Sequence, residues 1–576
     1  MVVSALKLVL FFVSNYGFWE FFRHKFKFEI SFLPVYTIAF QFMVLFFAGL
    51  FNFLTEAVVG LYLFGLLMAA YSIKKRHSRA LVPYLGLPYY VLFFGCFCLL
   101  VAVRGKIFEH YDNFSHWALV VRSMLDTGRF PNFRDDIIIF QSYPLGTAAY
   151  IFYFCKLTSR AESFQMMAQA YMMLSCILPC FSFLKKNRAM GTLLFVLTGN
   201  YLLCYNISIY NLLVDTVLPL AGMATVLFIV VHGRTEDADW RSNIYLLSIP
   251  MLCWTAQIKN SGFFFCAIAI IVMLSPMCRE PKCIAKKLVA SISPIVVSML
   301  WSRHCDYVFP TYSTSKHAMH FDNFLSVFTQ KEQEDLIHIL RGVVRHAFLR
   351  KELLYMLIFI GILALISWVL VKEKRKNSRN LFLAAVCTYA TYVVCVAGMY
   401  MFSMPGNEAS RLAGLARYLK TIDIAIYILI LCHSFDILSS AERRQIGISV
   451  GCVLILIQLG LSLVCYGGIV TVYQQYSAPL RTVMQDFLKE NPVPYGKSYL
   501  ICVPGSNSDY YKFLGRYLLN TSACHSLSVT DKSELDYYWD KFEYVLILDE
   551  DNPQIEAWVQ ENAPGQIGLQ VLYNER

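Results

Sequence analysis

The sequence predicts a polytopic α-helical membrane protein with a small α/β domain at its C-terminus. Hydrophobic residues make up 57% of the 576 residues and charged residues only 15%, whereas a soluble domain carries about 25% charged residues. The apolar residues form runs, such as 38–54 and 446–464, that are about as long as a helix must be to cross a ~30 Å hydrocarbon core. The chain therefore lacks the polar surface to face water on all sides.

About fourteen spans can be placed along the chain. They are 2–22, 32–53, 55–73, 83–103, 162–184, 189–207, 212–231, 244–258, 261–278, 285–302, 351–371, 381–401, 418–437 and 446–470. With these spans, basic clusters such as Lys74–Arg76, Lys185–Arg188 and Lys372–Arg379 all fall on one side. Lysine and arginine accumulate in cytoplasmic loops, so that side is predicted to be cytoplasmic and both termini to lie outside. The net charge of +11 is attributed to these loops and not to nucleic-acid binding.

The segment 142–157 is apolar but only about sixteen residues long, which is short for a crossing. If it crossed, every later basic cluster would move outside. It is predicted to be a re-entrant or membrane-surface helix.

Three regions follow from this organisation. Residues 1–82 form N-terminal transmembrane helices, 83–472 form a larger transmembrane domain, and 473–576 form the soluble domain. The larger domain carries two long outer loops, 104–141 and 302–350. In the soluble domain, short β-rich runs at 498–503, 542–548 and 567–572 alternate with helix-like segments at 509–520 and 553–562, which is typical of an α/β layer domain.

The first outer loop contains the most distinctive motif, Asp112-Asn-Phe-Ser-His116-Trp117. From Asn113, apolar residues recur with helical spacing, which predicts an amphipathic helix in the membrane interface. A carboxylate beside a membrane is costly to desolvate, so Asp112 is expected to have a structural or functional role there. It is either an N-cap of this helix or a functional acid. His116, one turn later, is either an interfacial polar residue or a partner of the aspartate or of a phosphate.

A second acid, Asp215, stands at the outer end of a later span, and cations accompany it on the predicted outer face. Lys259 lies in a short outer turn, and Arg411 and Arg417 precede the span 418–437. Arginine suits bidentate phosphate recognition. The alternatives are snorkelling at the interface, plain interface anchoring for Lys259, or a helical pair between Arg411 and Glu408.

Metal ligation is not supported by spacing. Histidines 304, 317, 320, 338 and 346 cluster in the second outer loop but fit no known ligand set. They are therefore interpreted as solvated loop residues and not as metal ligands. The eighteen cysteines are scattered, mostly in apolar runs, and no pair has zinc spacing. A divalent metal stays open as an alternative that the ligand spacing does not support, and no other cofactor is predicted. Pro504-Gly505-Ser506-Asn507 is a lone turn and weak evidence for a phosphate loop.

The DNFSHW motif, the helix ending near Gly128–Pro131 and the Ser142-Tyr-Pro-Leu-Gly146 step resemble the first outer loop of GT-C membrane glycosyltransferases. This superfamily includes protein mannosyltransferases, lipid A aminoarabinose transferase and oligosaccharyltransferase catalytic subunits. Its members carry an essential aspartate in that loop, which Asp112 matches, and a second acid about a hundred positions later, which Asp215 resembles. The likeness covers the architecture of about 83–470.

There are departures from the family pattern. Tyr143-Pro144-Leu145 stands where the aminoarabinose transferase type has Lys-Pro-Pro, so the phosphate contact of that lysine must come from elsewhere. Three additional spans precede the usual first one. Asn113 follows Asp112 where several relatives have a second acid, which argues against a metal-dependent mechanism.

The resemblance implies transfer of a sugar from a polyprenyl-phosphate donor to a glycan, lipid or wall polymer outside the plasma membrane. A bacterial cell envelope fits this better than the endoplasmic reticulum, because the sequence shows no retention signal. In this mechanism Asp112 is the general base with His116 beside it, and Asp215 orients a substrate. The expected substrate-binding residues are Tyr143, Lys259, Glu408, Arg411 and Arg417. The alternatives are a polysaccharide polymerase or a lipid-linked-sugar flippase, and a non-catalytic scaffold. The spans are expected to be nearly free of charge in mid-helix, which argues against a flippase.

Overall fold

The structure, a computed structural model, describes residues 2–75, 86–183, 209–233, 238–275, 283–309, 328–329, 331–370, 375–439, 456 and 479–574. These residues divide into two compact units. The first lies within Met1–Arg104, Ser142–Ile209 and Val214–Gln475, and the second within Gly105–Gln141, Tyr210–Leu213 and Tyr476–Arg576. The predicted division at 82 and 472 differs from this one, because the first outer loop belongs to the same unit as the C-terminal residues.

The first unit is a bundle of helices whose lengths follow from the apolar runs in the sequence. Its helices are α1 Val2–Phe26, α2 Leu33–Leu50, α3 Leu54–Lys75, α4 Leu87–Val103, α6 Ala148–Leu157, α7 Glu162–Ile177, α8 Val217–His232, α9 Ala238–Leu247, α10 Ile249–Ile258, α11 Gly262–Leu274, α12 Ile284–Val308, α13 Gln333–Phe348, α14 Lys351–Leu370, α15 Arg375–Phe402, α16 Gly406–Ser410 and α17 Leu415–Ser439; α5 belongs to the second unit.

Among the described residues, five helices are long and apolar enough to cross a membrane. They cover Ile30–Leu50, Leu54–Lys75, Glu162–Phe183, Ile284–Val308 and Ser378–Phe402. Shorter apolar helices lie at Leu87–Val103, Ala148–Leu157, Val217–His232 and Gly262–Leu274. The predicted spans 189–207 and 446–470 lie outside the described residues. The chain is a polytopic α-helical membrane protein with a C-terminal α/β domain, as the sequence predicts.

The second part of the segment 142–157 forms α6, whose ten residues are too few to cross a ~30 Å core at 1.5 Å per residue. Most of its side chains are buried, including Tyr150, Ile151 and Phe152, and it packs against α1, α2 and α7. A helix enclosed in this way fits the re-entrant alternative and not the membrane-surface one.

The expectation of spans nearly free of charge is wrong at two places. Asp423 lies within α17 and is fully buried, and Glu20 lies within α1 and is 4% exposed. Both have partners: Arg350 Nη2 is 2.5 Å from Asp423 Oδ1, and the Ser72 hydroxyl donates to Glu20 over 3.2 Å. Each acid is thus held inside the bundle by another helix or its end, as buried charges require.

The second unit joins the first outer loop to the soluble domain. Its elements are a π-helical turn Asn113–Trp117, α5 Ala118–Thr127, α18 Pro479–Glu490, β1 Tyr499–Cys502, α19 Ser508–Leu519, β2 Cys524–Leu527, α20 Ser533–Trp539, β3 Tyr544–Ile547, α21 Pro553–Asn562 and β4 Val571–Tyr573. The sheet order is β2-β1-β3-β4, with β4 antiparallel to β3 and the other pairs parallel. The α/β domain is confirmed, and β2 is a strand that the sequence did not indicate.

The amphipathic segment after Asn113 does not face lipid as expected. Its apolar positions Val120, Val121, Met124 and Leu125 are buried in the protein. The Arg122 guanidinium donates to the carbonyl of Tyr517 and lies 5.1 Å from the ring of the same residue, so α19 supplies part of the surface that a membrane was expected to supply.

Candidate functional site

The SYPLG step is built into the bundle through its glycine. Gly146 donates its N–H to the carbonyl of Gln257 over 2.7 Å, and its own carbonyl accepts from Trp254 Nε1 at 3.0 Å. A Cβ at Gly146 would lie 2.3 Å from the Gln257 oxygen. Only glycine allows this approach, which fixes the end of α10 two residues before Lys259.

Lys259 leaves α10 in an extended conformation, with φ −162° and ψ 152°. Its carbonyl accepts from the Gly262 N–H at 2.7 Å, which closes the turn into α11. A Cβ on Gly262 would be 2.2 Å from the carbonyl oxygen of Thr255. The turn is therefore held by two close backbone contacts, and the lysine is presented from a rigid position.

The Lys259 ammonium forms an ion pair with Asp215, with Nζ 2.8 Å from Oδ1. Asp215 lies in the turn just before α8. The side chains are 25% and 12% exposed, respectively. The sequence predicts both residues as parts of a site, and the structure brings them together.

The two charges of this pair stabilise each other against burial. Burial raises the pKa of the Asp215 carboxyl, but the charges of Lys259 and Arg417 outweigh it and bring that pKa below its ordinary value. Burial lowers the pKa of the Lys259 ammonium, but Asp215 outweighs it and the pKa is raised. The contribution of Asp215 to stability is present above the ordinary carboxyl pKa and is lost as pH falls through its lowered pKa, and that of Lys259 is present below the ordinary ammonium pKa and is lost as pH rises through its raised pKa.

The start of α17 supplies the next residues of the cluster. Arg417 lowers the pKa of Asp215 through its charge, and the ring of Tyr418 lies 4.8 Å from Lys259 Nζ. The Thr421 hydroxyl is 3.2 Å from the backbone carbonyl of Asp215. We call Asp215, Lys259, Arg417, Tyr418 and Thr421 the Asp215 cluster.

A strained turn delivers Arg417 to this position. Leu412 has φ +51° and Gly414 has φ +75°, and the Arg417 N–H donates to the Gly414 carbonyl over 3.0 Å. A left-handed conformation at a leucine costs about 1–2 kcal/mol, so surrounding contacts must maintain it. One such contact is the Tyr400 hydroxyl, which donates to the Ala413 carbonyl over 2.5 Å.

Lys331 supports the same region from the second outer loop. Its ammonium donates to the carbonyls of Tyr400, Met401 and Met404 at 2.7, 2.9 and 2.7 Å. The first two of these carbonyls lie in the last turn of α15 and the third lies just beyond it, where the helix dipole favours a cation. Burial lowers the pKa of Lys331, and the three acceptors satisfy its three donors.

Arg350 and Asp423 form a second pair deeper along α17. Arg350 Nη2 also donates to the Tyr389 hydroxyl over 3.1 Å, and that hydroxyl donates to the Ala347 carbonyl over 2.6 Å. The network ties the junction of α13 and α14 to α15 and α17, and thereby holds the helix that carries Arg417.

The other predicted site residues of the first unit are not part of the Asp215 cluster. Tyr143 is half-buried, and Arg411 is exposed at the end of α16. Within the described chain no ion pair joins Arg411 to Glu408, which is half-buried, so the helical-pair alternative is not what the structure shows. Their part in a site stays a prediction.

Asp112 and His116 belong to the second unit. The Asp112 side chain makes no capping hydrogen bond to the π-helical turn, so the N-cap alternative fails. Its carboxylate lies 3.8 Å from His110 Nδ1 and is 16% exposed.

His116 is 4% exposed between the rings of Trp117 and Phe140. Burial lowers its pKa to about 3, which makes the ring neutral at physiological pH. A neutral, enclosed imidazole fits a packing role better than the predicted contact to a phosphate.

Asn113 is a residue of this motif to which the sequence assigns no role in the site. It is fully buried, donates to the His110 carbonyl over 3.1 Å and accepts the Leu212 N–H over 2.9 Å. Leu212 precedes Asp215 by three residues. The same position counts as a departure from the family pattern, and the structure gives it a backbone-fixing task.

No group of three histidine, cysteine, aspartate or glutamate residues in the described part of the chain is placed to hold a metal ion. Of the histidines in the second outer loop, His304 stacks on Trp301 at 5.6 Å. His317 and His320 lie outside the described residues.

Two solved structures are similar to this chain, and both are of ArnT from Cupriavidus metallidurans. The structure bound to undecaprenyl phosphate is 11% identical with a TM-score of 0.46, and covers 84% of this chain and 95% of that chain. The apo structure is 10% identical with a TM-score of 0.36, and covers 82% and 94%. ArnT is a GT-C aminoarabinose transferase. No protein-family model and no curated protein matches the chain.

Proposed function

We propose that this protein is a membrane glycosyltransferase of the GT-C type that transfers a sugar from a polyprenyl-phosphate carrier to an acceptor in the cell envelope. The observation that carries the proposal is the Asp215 cluster. Three side chains that the sequence marks separately, Asp215, Lys259 and Arg417, meet there although they come from three separate segments of the chain. Two cations held beside one carboxylate suit the binding of an anionic group.

In the proposed reaction an acceptor hydroxyl attacks the anomeric carbon of the donor sugar. Asp112 takes the hydroxyl proton as general base. The bond between the anomeric carbon and the phosphate oxygen breaks, and the polyprenyl phosphate leaves with the electron pair. Lys259 and Arg417 stabilise the charge of this leaving phosphate, and Asp215 orients Lys259.

The proposal places Asp112 and the Asp215 cluster in one reaction. This follows from the resemblance, in which Asp112 and Asp215 match the two acids of GT-C transferases. The proposed site and the C-terminal domain lie on the extracytoplasmic side, as the basic clusters on the opposite side of the spans indicate.

The test is transfer of a radiolabelled sugar from polyprenyl-phosphate sugars in membranes with and without the protein. We expect transfer by the unchanged protein and a loss of roughly 10²- to 10⁴-fold in Asp112→Asn, with normal expression and folding. Lys376→Met, at an exposed position of α15, is the control and should retain transfer. A flippase or a scaffold would transfer no label, and full activity of Asp112→Asn would refute the assigned base.

A further inference from the structure

The helix α13 in the second outer loop exposes a line of large apolar side chains. Ile337, Leu340, Val344 and Phe348 are 42%, 46%, 45% and 49% exposed. Their spacing of three and four residues places them along one side of a helix. The adjacent side, with Ile339, Val343 and Ala347, is buried. The helix therefore has one apolar side against the protein and one on its surface, and we call the four exposed residues the apolar stripe.

The apolar stripe ends where the chain enters a predicted span. Phe348 is the last residue of α13 and Leu349, which follows it, is 79% exposed. After Arg350, α14 begins at Lys351 and contains no charged residue from Leu353 to its end at Leu370. The stripe is thus continuous in sequence with a helix that has the composition of a membrane crossing.

Two exposed cations border the apolar stripe. Arg341 and Arg345 each follow a stripe residue by one position, so a helical rotation of about 100° places both on the same flank. Their flexible stems can keep the guanidinium groups at the level of lipid phosphates while the neighbouring side chains enter the acyl region. The acids Glu334 and Asp335 are confined to the first turn, away from the membrane end.

We infer that α13 lies in the surface of the bilayer, with the apolar stripe in lipid and with Arg341 and Arg345 on headgroup phosphates. The occupant of this exposed face is the membrane itself, because an apolar line, flanking cations and a direct continuation into a span coincide on one helix. This interfacial helix differs from the one that the sequence suggests after Asn113.

The placement has a consequence for the turn that delivers Arg417. A Cβ added to Gly342 would lie 2.5 Å from the Leu412 side chain, so α13 packs closely on the residue with left-handed backbone. A helix anchored in the membrane surface would hold this turn at a fixed depth. The placement of α13 in the bilayer surface is argued from the apolar stripe and its flanking cations, and it does not depend on the proposed function.

The experiment is photo-crosslinking of the full-length protein in phosphatidylcholine vesicles that contain radiolabelled lipid. The photoreactive residue p-benzoylphenylalanine replaces Val344 in one variant and His346, which is exposed away from the stripe, in the other. We expect a lipid adduct at position 344 that exceeds the one at 346 severalfold. The same substitution at Leu340 gives an independent result if the Val344 variant does not fold.

Equal lipid labelling at the two positions would overturn the inference. So would crosslinking of position 344 to a second copy of the chain or to residues 310–327, because either result would show a protein occupant on the stripe.

Discussion

At the scale of single residues, Gly146 shows how a backbone contact controls a distant charge. Its missing Cβ lets the SYPLG step reach the Gln257 carbonyl, two residues before Lys259. Gly146→Ala would place a methyl group 2.3 Å from that oxygen and must displace the end of α10. We expect a loss of about 1–3 kcal/mol in the free energy of unfolding and a strong loss of sugar transfer.

The matched control for this change is Gly60→Ala in α3, where a Cβ would meet nothing within 4 Å. Alanine is the better helix former by about 0.5–1 kcal/mol, so this variant should be as stable as the original or more so. Thermal unfolding and transfer are measured on both. A Gly146→Ala protein that behaves like the control would remove the role assigned to the close contact.

His116 gives a prediction about pH. Its pKa is about 3 in the folded protein, below the ordinary value of about 6.5. The folded state therefore excludes a proton that the unfolded state binds, and the stability from the neutral ring is lost as pH falls from 6.5 towards 3. Its share of the loss is about 1.4 kcal/mol per pH unit in this range.

The measurement compares the pH dependence of unfolding in the original protein and in His116→Gln. The variant should be less stable at neutral pH but should show a shallower decline on acidification. It should also retain most sugar transfer, because a packing residue does not touch the substrate. Complete loss of transfer in a stably folded His116→Gln protein would restore the catalytic role that the sequence suggested.

At the scale of elements, α15 depends on a cation from outside the helix. Lys331 satisfies three carbonyls at its C-terminal end, and Lys331→Met would leave them without this donor. We expect a cost of about 2 kcal/mol, as for hydrogen bonds to a charged group. Thermal unfolding in lipid nanodiscs measures it, with Lys376→Met near the other end of α15 as the control. Equal stability of the two variants would contradict the capping role.

The elements also show what the sequence could and could not predict. Helices such as α2 and α3 match the predicted spans because run length and hydrophobicity determine a membrane crossing. Buried charges escaped prediction: Asp423 lies in a largely apolar run, and its partner Arg350 is 73 positions away. The strand β2 was missed because its four residues include His525 and Ser526 and have no extended apolar pattern.

At the scale of the whole molecule, the first outer loop and the C-terminal residues belong to one compact unit. Arg481 of α18 is 3% exposed, donates to the Phe108 carbonyl over 2.7 Å and lies 5.4 Å from the Phe114 ring. Arg516 of α19 donates to the Ile137 carbonyl over 2.9 Å. The loop with Asp112 is therefore ordered by residues hundreds of positions later in the chain.

Arg481→Met should loosen the loop and the C-terminal domain together, at a cost of about 2 kcal/mol for its charged hydrogen bond. Limited trypsin digestion should then cut within 105–141 as well as within the C-terminal domain faster than in the original protein. Arg134→Met, at an exposed position, is the control. Faster cleavage confined to the C-terminal domain would contradict a shared folding unit.

This assembly explains which parts of the site the sequence could indicate. Charges on the predicted outer face, such as Asp215, Lys259 and Arg417, stand out against apolar runs, and the structure unites these three. Thr421 and Tyr418 did not stand out, because a hydroxyl near a helix start is common and only the fold brings it to Asp215. The contacts of Arg481 and Arg516 join positions that no local pattern connects.

The central claim is that the Asp215 cluster binds the phosphate of the lipid carrier. Measurements of lipid binding test this claim directly. The affinity of the purified full-length protein for polyprenyl phosphate is measured against that for polyprenol, which lacks the phosphate. The original protein should prefer the phosphate, and Lys259→Met should reduce this preference by about tenfold or more, whereas Lys376→Met should not. An unchanged preference in a folded Lys259→Met protein would contradict the account.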